Sequence, residues 1–363
     1  MKRLLLIALT VVLCTCAQKP AEKFEICKGV NIAHWLSQSF TRGEARAAYF
    51  TEADVKRIAD WGFDHVRIPI DEAQMFDRDG NKDEEAFALL HQALDLCGKY
   101  GLRAIVDLHI LRSHNFIATS NPLFTEEAAQ EAFYECWRKL SGELKDYSTA
   151  WVAYELMNEP VANDPEDWNK IATRCYQVIR ELEKDRVIVI GSNRWQSFDT
   201  VEQLSLPEGD PNIILSFHYY LPMPLTHYQA SWTEFRGFAG QVHYPGQVVK
   251  EEELALRPEA EREQFGQWTS EVFDKARFAA EFGRVVAVAK RYGIPAYCGE
   301  YGCLAVEANA EARYAWLTDV NDVFDELGIA RTVWCYREGP AGFGILTGES
   351  PEPDARMLEA LLK

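Results

Sequence analysis

Short apolar runs alternate with longer stretches of helical periodicity along nearly the whole chain, and no other feature constrains its fold as tightly. The runs fall at residues 29–33, 63–70, 103–109, 152–157, 186–190, 213–218, 296–300 and 332–336. Several are apolar almost throughout, as in Ala104-Ile105-Val106 and Val187-Ile188-Val189-Ile190, which is the composition of strands covered on both faces. Helical patterns occupy 52–61, 84–100, 126–146, 167–184, a short piece near Val201, 271–292, 311–327 and 354–362. Thr51 with Asp54 three residues on marks a helix start, and Gly101, Gly293 and Gly328 mark helix ends, because glycine takes up the left-handed conformation that closes a last turn.

Strand followed by helix, eight times over, is the pattern of a parallel sheet that closes on itself. The expected fold class is α/β, a single (β/α)8 TIM barrel over residues 27–363, with no Pro-, Gly- or Ser-rich linker inside it. The longest break, 220–266, follows the sixth strand and is rich in aromatics, prolines and, late on, glutamate. In a barrel such a segment overhangs the face where the strands end, which is where active sites lie.

A chain of 363 residues, 47% hydrophobic and 26% charged, buries a large core, and its net charge of -18 argues against nucleic acid or an anionic membrane surface as a partner. Met1-Lys2-Arg3 followed by the apolar stretch 4–13 reads as a secretory signal, too short to span a bilayer permanently. Residues 1–16 are expected to be that signal and 17–26 a tether. Leu13-Cys14-Thr15-Cys16 has the spacing of a bacterial lipobox, although Thr15 stands where that pattern prefers Gly, Ala or Ser. Cys16 is the candidate for a lipid anchor, and the expected location is extracytoplasmic, as an outer-membrane lipoprotein facing the periplasm or the surface. Ordinary cleavage with free secretion is the alternative. A monomer is expected. Seven cysteines beyond Cys16, with no C-x-x-C spacing, make a poor disulfide framework and a poor zinc site, and read as small core fillers. A metal-dependent barrel hydrolase wants a His-x-His pair after the first strand, where this chain offers Asn31 and a lone His34. No metal and no cofactor is expected.

Two glutamates carry the chemistry. Asn158-Glu159-Pro160 closes the fourth apolar run and Gly299-Glu300-Tyr301-Gly302 the seventh, so both carboxyls are expected at the same end of the barrel. Two carboxyls across one mouth suit glycoside hydrolysis, one protonated to help the leaving oxygen depart and one ionised to attack.

On those two motifs, with their order and strand placement, the chain resembles glycoside hydrolase family 5 from Gly29-Val30-Asn31 through Trp334. The resemblance implies a retaining β-glycosidase of the cellulase type with Glu159 as acid/base and Glu300 as nucleophile. Arg67, ending the second run in Val66-Arg67-Ile68-Pro69, is placed to bond Glu300 and lower its pKa. His109 in Asp107-Leu108-His109 is implied to line the sugar site, and Asn158 to donate to the 2-hydroxyl of the sugar being cleaved. His218 and Tyr220 match the family's His-x-Tyr, near the acid/base and the nucleophile respectively, while alternation along the strand sends Tyr219 the other way. Trp334 resembles the tryptophan floor beneath the reacting sugar. Trp35, Trp195 and Trp232 are weaker candidates for further subsites. The implied partner is a β-linked polysaccharide or oligosaccharide, with β-1,4-glucan first and mannan, xyloglucan or an exo-acting role on short oligosaccharides as alternatives; a barrel that binds glycans without cleaving them is the reading from another class. Residues 110–114 and 225–230 depart from the family's loops, and these are the loops that set specificity.

Overall fold

The computed structural model describes residues 23–348 and 352–363. The expected signal, Cys16 and most of the expected tether lie outside the described residues.

Eight parallel strands close into a barrel: β1 Lys28–Asn31, β2 His65–Asp71, β3 Arg103–Ile110, β4 Val152–Glu155, β5 Ile188–Gly191, β6 Ile213–Tyr219, β7 Ala296–Tyr301 and β8 Ala330–Val333. Each pairs with its sequence neighbours, and β8 pairs with β1 to complete the ring. Around it run α1 Glu52–Trp61, α2 Glu84–Tyr100, α3 Glu127–Leu144, α4 Pro165–Leu182, α5 Lys275–Tyr292, α6 Ala310–Leu327 and α7 Ala355–Leu362. The short piece near Val201 is a single 3-10 stretch, Phe198–Gln203. Thr51 and Asp54 form the capping box of α1, with the Thr51 N–H donating to Asp54 Oδ2 at 2.9 Å. Gly101, Gly293 and Gly328 close α2, α5 and α6 at φ of 77°, 69° and 67°.

Three strand ends fall short of expectation, β1 stopping at Asn31 rather than at residue 33. β4 stops at Glu155 rather than at residue 157, so Glu159 sits beyond the strand, and β8 stops at Val333, which leaves Trp334 just past its end. In both cases the apolar run continues because the chain stays buried while turning off the sheet: Leu156, Met157, Cys335 and Tyr336 are all almost fully covered. Hydrophobicity reports burial and does not distinguish strand from covered loop.

The barrel interior at its N-terminal end is filled by Ile105, Ala153, Val187, Val189, Ile214 and Tyr297. Phe24 and Ile26, within the stretch expected as tether, pack against this layer and close the bottom of the barrel. A second and larger core lies between strands and helices. Six of the seven cysteines described are buried and all seven are free, as small core fillers should be. The segment 220–266 is partly helical, with Glu251–Leu254 and Glu259–Phe265. Its own aromatic cluster joins Phe235, Phe238, Phe265 and Trp268, and a short antiparallel pair ties Gly246–Gln247 to Val272–Phe273.

Removing the plug tests the lower boundary of the barrel. Replacing both Phe24 and Ile26 with Ala is expected to cost about 1–3 kcal/mol of stability, read as a lowered midpoint in thermal or urea unfolding, with activity at 25 °C retained. An unchanged midpoint would show that the barrel ends at Cys27.

Candidate active site

One guanidinium organises the C-terminal end of the barrel. Arg67, in the middle of β2 and fully buried, donates from Nε to Glu155 Oε2 at 2.6 Å, from Nη1 to Glu300 Oε1 at 2.7 Å and from Nη2 to Asn158 Oδ1 at 2.9 Å. Nη2 also lies 3.0 Å from Asp107 Oδ2, and Nη1 is 3.0 Å from Asn31 Oδ1. Residues from β1, β3, β4 and β7 and from the turn after β4 thus converge on a side chain from β2. Bidentate, charge-assisted bonds of this kind fix orientation as well as charge.

Glu300 ends β7 with both oxygens held, Oε1 by Arg67 and Oε2 by the Tyr220 hydroxyl at 3.0 Å. Glu159 is held differently. Its backbone has φ 47°, a left-handed conformation that a non-glycine residue adopts only where its surroundings impose it. Its N–H donates to Gln196 Oε1 at 3.0 Å, and Gln196 Nε2 in turn donates to Glu155 Oε1 and Ser216 Oγ, each at 3.1 Å. His218 Nδ1 lies 2.9 Å from Glu159 Oε1 and 3.7 Å from Glu300 Oε2, and the ligand atoms of all three residues fall within 4.8 Å of one another.

Charge separates the two carboxyls. Burial, reinforced by the neighbouring Glu300, pushes Glu159 well above the usual carboxylate range. Burial raises Glu300 too, but Arg67, His109 and the Tyr220 hydroxyl pull it back. Arg67 pulls Glu300 down as expected, but desolvation outweighs the guanidinium, so that Arg67 acts by keeping the rise smaller than at Glu159. Burial also lowers both histidines, His218 well below the imidazole range and His109 to about 4. Asp107, whose Oδ2 lies 2.7 Å from His109 Nδ1, is itself raised to about 7 by burial.

All eight expected site residues meet here. Asn158 Oδ1 is committed to Arg67, while its Nδ2 is buried without a partner, a donor left for a ligand beside Glu159. Trp334 stacks on the His109 ring, with centroids 5.7 Å apart and planes at 14°. Tyr219 turns away, as expected, with its hydroxyl on Glu281 Oε2 at 2.5 Å and its ring against Phe282. Of the weaker candidates, Trp35 is core, fully buried and bonded to the Arg46 carbonyl. Trp195 and Trp232 are 49% and 58% exposed; Trp195 bonds the Phe116 carbonyl and Trp232 edges His227 beneath Tyr220. Of the glycines around Glu300, Gly302 is required by a close approach and Gly299 sits in a tight one. A Cβ on Gly299 would stand 3.1 Å from His218 Nε2, and one on Gly302 would stand 2.6 Å from the Trp334 carbonyl oxygen.

Four contributors were absent from the expected set: Asn31, Asp107, Glu155 and Gln196. Glu155 had a legible signal, a carboxylate inside the apolar run Val152-Ala153-Tyr154-Glu155, which burial permits only with a partner. Gln196 had none.

The family model described as Cellulase (glycosyl hydrolase family 5) matches residues 27–339. The chain belongs to glycosyl hydrolase family 5. Cellodextrinase A of Ruminococcus flavefaciens is 32% identical over 88% of this chain and 88% of its own length. Endoglucanase C of Acetivibrio thermocellus is 30% identical, covering 85% of this chain and 91% of its own. Among solved structures, Cel5A of Thermotoga maritima in complex with cellobiose, a mutant form, superposes with TM-score 0.74 at 24% identity, over 93% of this chain and 97% of that one. An endoglucanase superposes at 0.71 with 26% identity, over 93% and 96%. This family 5 member is therefore an O-glycosyl hydrolase of the cellulase type, in a family that retains anomeric configuration.

The unequal carboxyls set its pH dependence. Activity needs Glu300 ionised and is lost as pH falls through that group's pKa; it needs Glu159 protonated and is lost as pH rises through the higher one. A bell-shaped kcat/KM is expected, with its acid limb above the ordinary glutamate value of about 4.3. Tyr220→Phe removes a bond that favours the ionised form, so it should move the acid limb to higher pH. A limb that stays in place would show that the hydroxyl does not act on the Glu300 charge.

Proposed function

We propose that this family 5 hydrolase cleaves β-1,4-linked glucan, or the short oligosaccharides derived from it, by double displacement. The observation that carries the mechanism is the pair Glu159 and Glu300, with carboxyl oxygens within 4.8 Å of one another. So close an approach supports direct attack, which uses carboxyls about 5–5.5 Å apart, over inversion, which uses carboxyls about 6.5–9.5 Å apart. Glu300 Oε2 attacks the anomeric carbon while Glu159 gives its proton to the departing oxygen. The charge that Glu159 then carries lowers its cost as the glycosyl bond to Glu300 consumes the other negative charge. Glu159 next takes a proton from water, which attacks from the face the leaving group vacated and displaces Glu300 on the opposite side, so that configuration is retained. Asn158 Nδ2 is the donor for the 2-hydroxyl, and Trp334, stiffened against His109, offers an apolar face to the sugar's C–H bonds.

The choice of glucan rests on likeness to proteins named cellodextrinase and endoglucanase, and the choice between interior and end cleavage lies with the divergent segments 110–114 and 220–266. For location, we infer export and acylation of Cys16, supported by the basic start, the apolar stretch 4–13 and the Leu13-to-Cys16 spacing; incorporation of labelled palmitate by the wild type and not by Cys16→Ala checks it.

The first product seen by NMR on cello-oligosaccharides should be the β-anomer. Glu300→Gln should abolish turnover, and Glu159→Ala should lower it by about 10²–10⁴-fold on substrates with poor leaving groups, with azide restoring turnover as the β-glycosyl azide. An α-anomer as first product would overturn the mechanism, and a higher kcat/KM on mannan than on glucan would overturn the substrate.

A further inference from the structure

Two groups of side chains among the described residues bring together three metal-ligating atoms within 4.8 Å of one another. One is the catalytic trio of Glu159, His218 and Glu300. The other is His34, Cys335 and Glu338, which the reaction does not use. His34 follows β1, while Cys335 and Glu338 follow β8, the strand paired with β1. Barrel closure thus joins residues from the two ends of the chain. We propose that His34, Cys335 and Glu338 form a binding site for a divalent ion of the zinc type, at the edge of the tryptophan floor.

The geometry is close to that of a ligand set. His34 Nε2 stands 3.6 Å from Glu338 Oε1, and Cys335 Sγ stands 3.9 Å from Glu338 Oε2. Zinc bonds of about 2.0–2.1 Å to N, 2.0–2.2 Å to O and 2.3 Å to S, at tetrahedral angles, put N and O about 3.4 Å apart and S and O about 3.6 Å apart. The His34–Glu338 pair thus stands a few tenths of an ångström from its coordinated spacing, and the ligand atoms of all three residues already lie within 4.8 Å of one another. His34 Nε2 is shielded from solvent without a hydrogen-bond partner, an aromatic nitrogen whose lone pair or proton is otherwise unmatched in a buried position. Glu338 is already fixed, its Oε2 accepting from the Phe343 N–H at 2.6 Å, which leaves Oε1 as the ligand oxygen.

Ligand chemistry selects the ion. A thiolate, an imidazole and one carboxylate suit zinc and disfavour calcium and magnesium, which take oxygen sets. One thiolate and one carboxylate neutralise a 2+ ion, so the buried site carries no net charge when filled. The Cys335 side chain is fully buried; on binding, its S–H bond is replaced by an S–metal bond and the proton passes to solvent. His34 and Glu338 side chains remain 32% and 21% exposed, which gives the ion an entry path and a fourth position open to water. The His34 ring edges Trp334 with centroids 6.1 Å apart at 82°, and Cys335 is its chain neighbour, so a bound ion would brace the sugar platform.

Zinc titrated into the intact wild-type protein, followed by calorimetry and by metal analysis after gel filtration, should bind at one equivalent with release of a proton. Cobalt in its place should give a thiolate charge-transfer band in the near ultraviolet. His34→Ala and Glu338→Gln, at partly exposed positions that keep the fold, should each weaken zinc about tenfold or more, and Cys335→Ser should remove the band. Glu159→Gln should leave binding unchanged. No zinc bound by the wild type, equal affinity in the His34 and Glu338 variants, or loss of binding in Glu159→Gln would each overturn the proposal, the last by placing the ion among the catalytic carboxyls.

Discussion

The Arg67 guanidinium is the interaction on which the rest of the structure depends. It reaches Asp107, Glu155 and Glu300 at once, from a strand interior with no access to water. Burying so many ionisable groups is costly, and removing one partner from such a cluster typically costs about 3–5 kcal/mol because the remainder is left uncompensated. The cluster is kept for what it does to protons. One permanent positive charge faces four carboxyls, counting Glu159, and both neighbouring histidines are driven neutral. The set cannot all ionise. Arg67 holds back the rise of the carboxyls that it touches, and the one it does not touch, Glu159, is pushed well above the usual carboxylate range. The general acid is thus defined by exclusion from the guanidinium.

How much of this could be read from the chain alone follows from what linear patterns encode. Eight apolar runs and the glycine stops at Gly101, Gly293 and Gly328 were legible because strand burial and helix termination are local. The pair Glu159 and Glu300 was legible because each stands in a short motif after such a run. The contact of Arg67 with Glu300 was also foreseen, but the network around it was not: Glu155, Asp107 and Asn31 meet Arg67 only once β1 to β4 and β7 are wrapped around a common axis. The net rise at Glu300 was not legible for the same reason. An opposite charge can be guessed from sequence, whereas the depth of burial that overrides it belongs to the closed barrel. Gln196 was invisible because its role is to hold the Glu159 N–H from the far side of a turn.

The early ends of β4 and β8 show a related limit. Residues 156–157 and 334–336 continue the hydrophobic pattern of β4 and β8 after the hydrogen-bonded ladder has stopped. In a barrel enzyme this is where the chain must leave the sheet while staying covered, so that a functional side chain is presented on buried, rigid backbone. Trp334 gains its place this way: its N–H is still bonded to the Tyr301 carbonyl at 2.8 Å, while its ring is released to lie against His109.

The two carboxyls differ in support as well as in charge. Glu300 lies within β7, both oxygens bonded, with glycines on either side that let His218 and the Trp334 backbone close in. Glu159 lies beyond β4, in a left-handed conformation that costs of order 1–3 kcal/mol, held through Gln196 and bonded on the His218 side only. A nucleophile must sit still at a fixed distance from one carbon, and two strong bonds on a strand provide that. An acid that later serves as base must accept and release a proton while a leaving group departs and water enters, so it is better placed on a turn with one oxygen uncommitted. The strain at Glu159 is the cost of carrying a carboxyl off the end of β4 and back over the barrel axis, to within reach of a residue on the seventh strand.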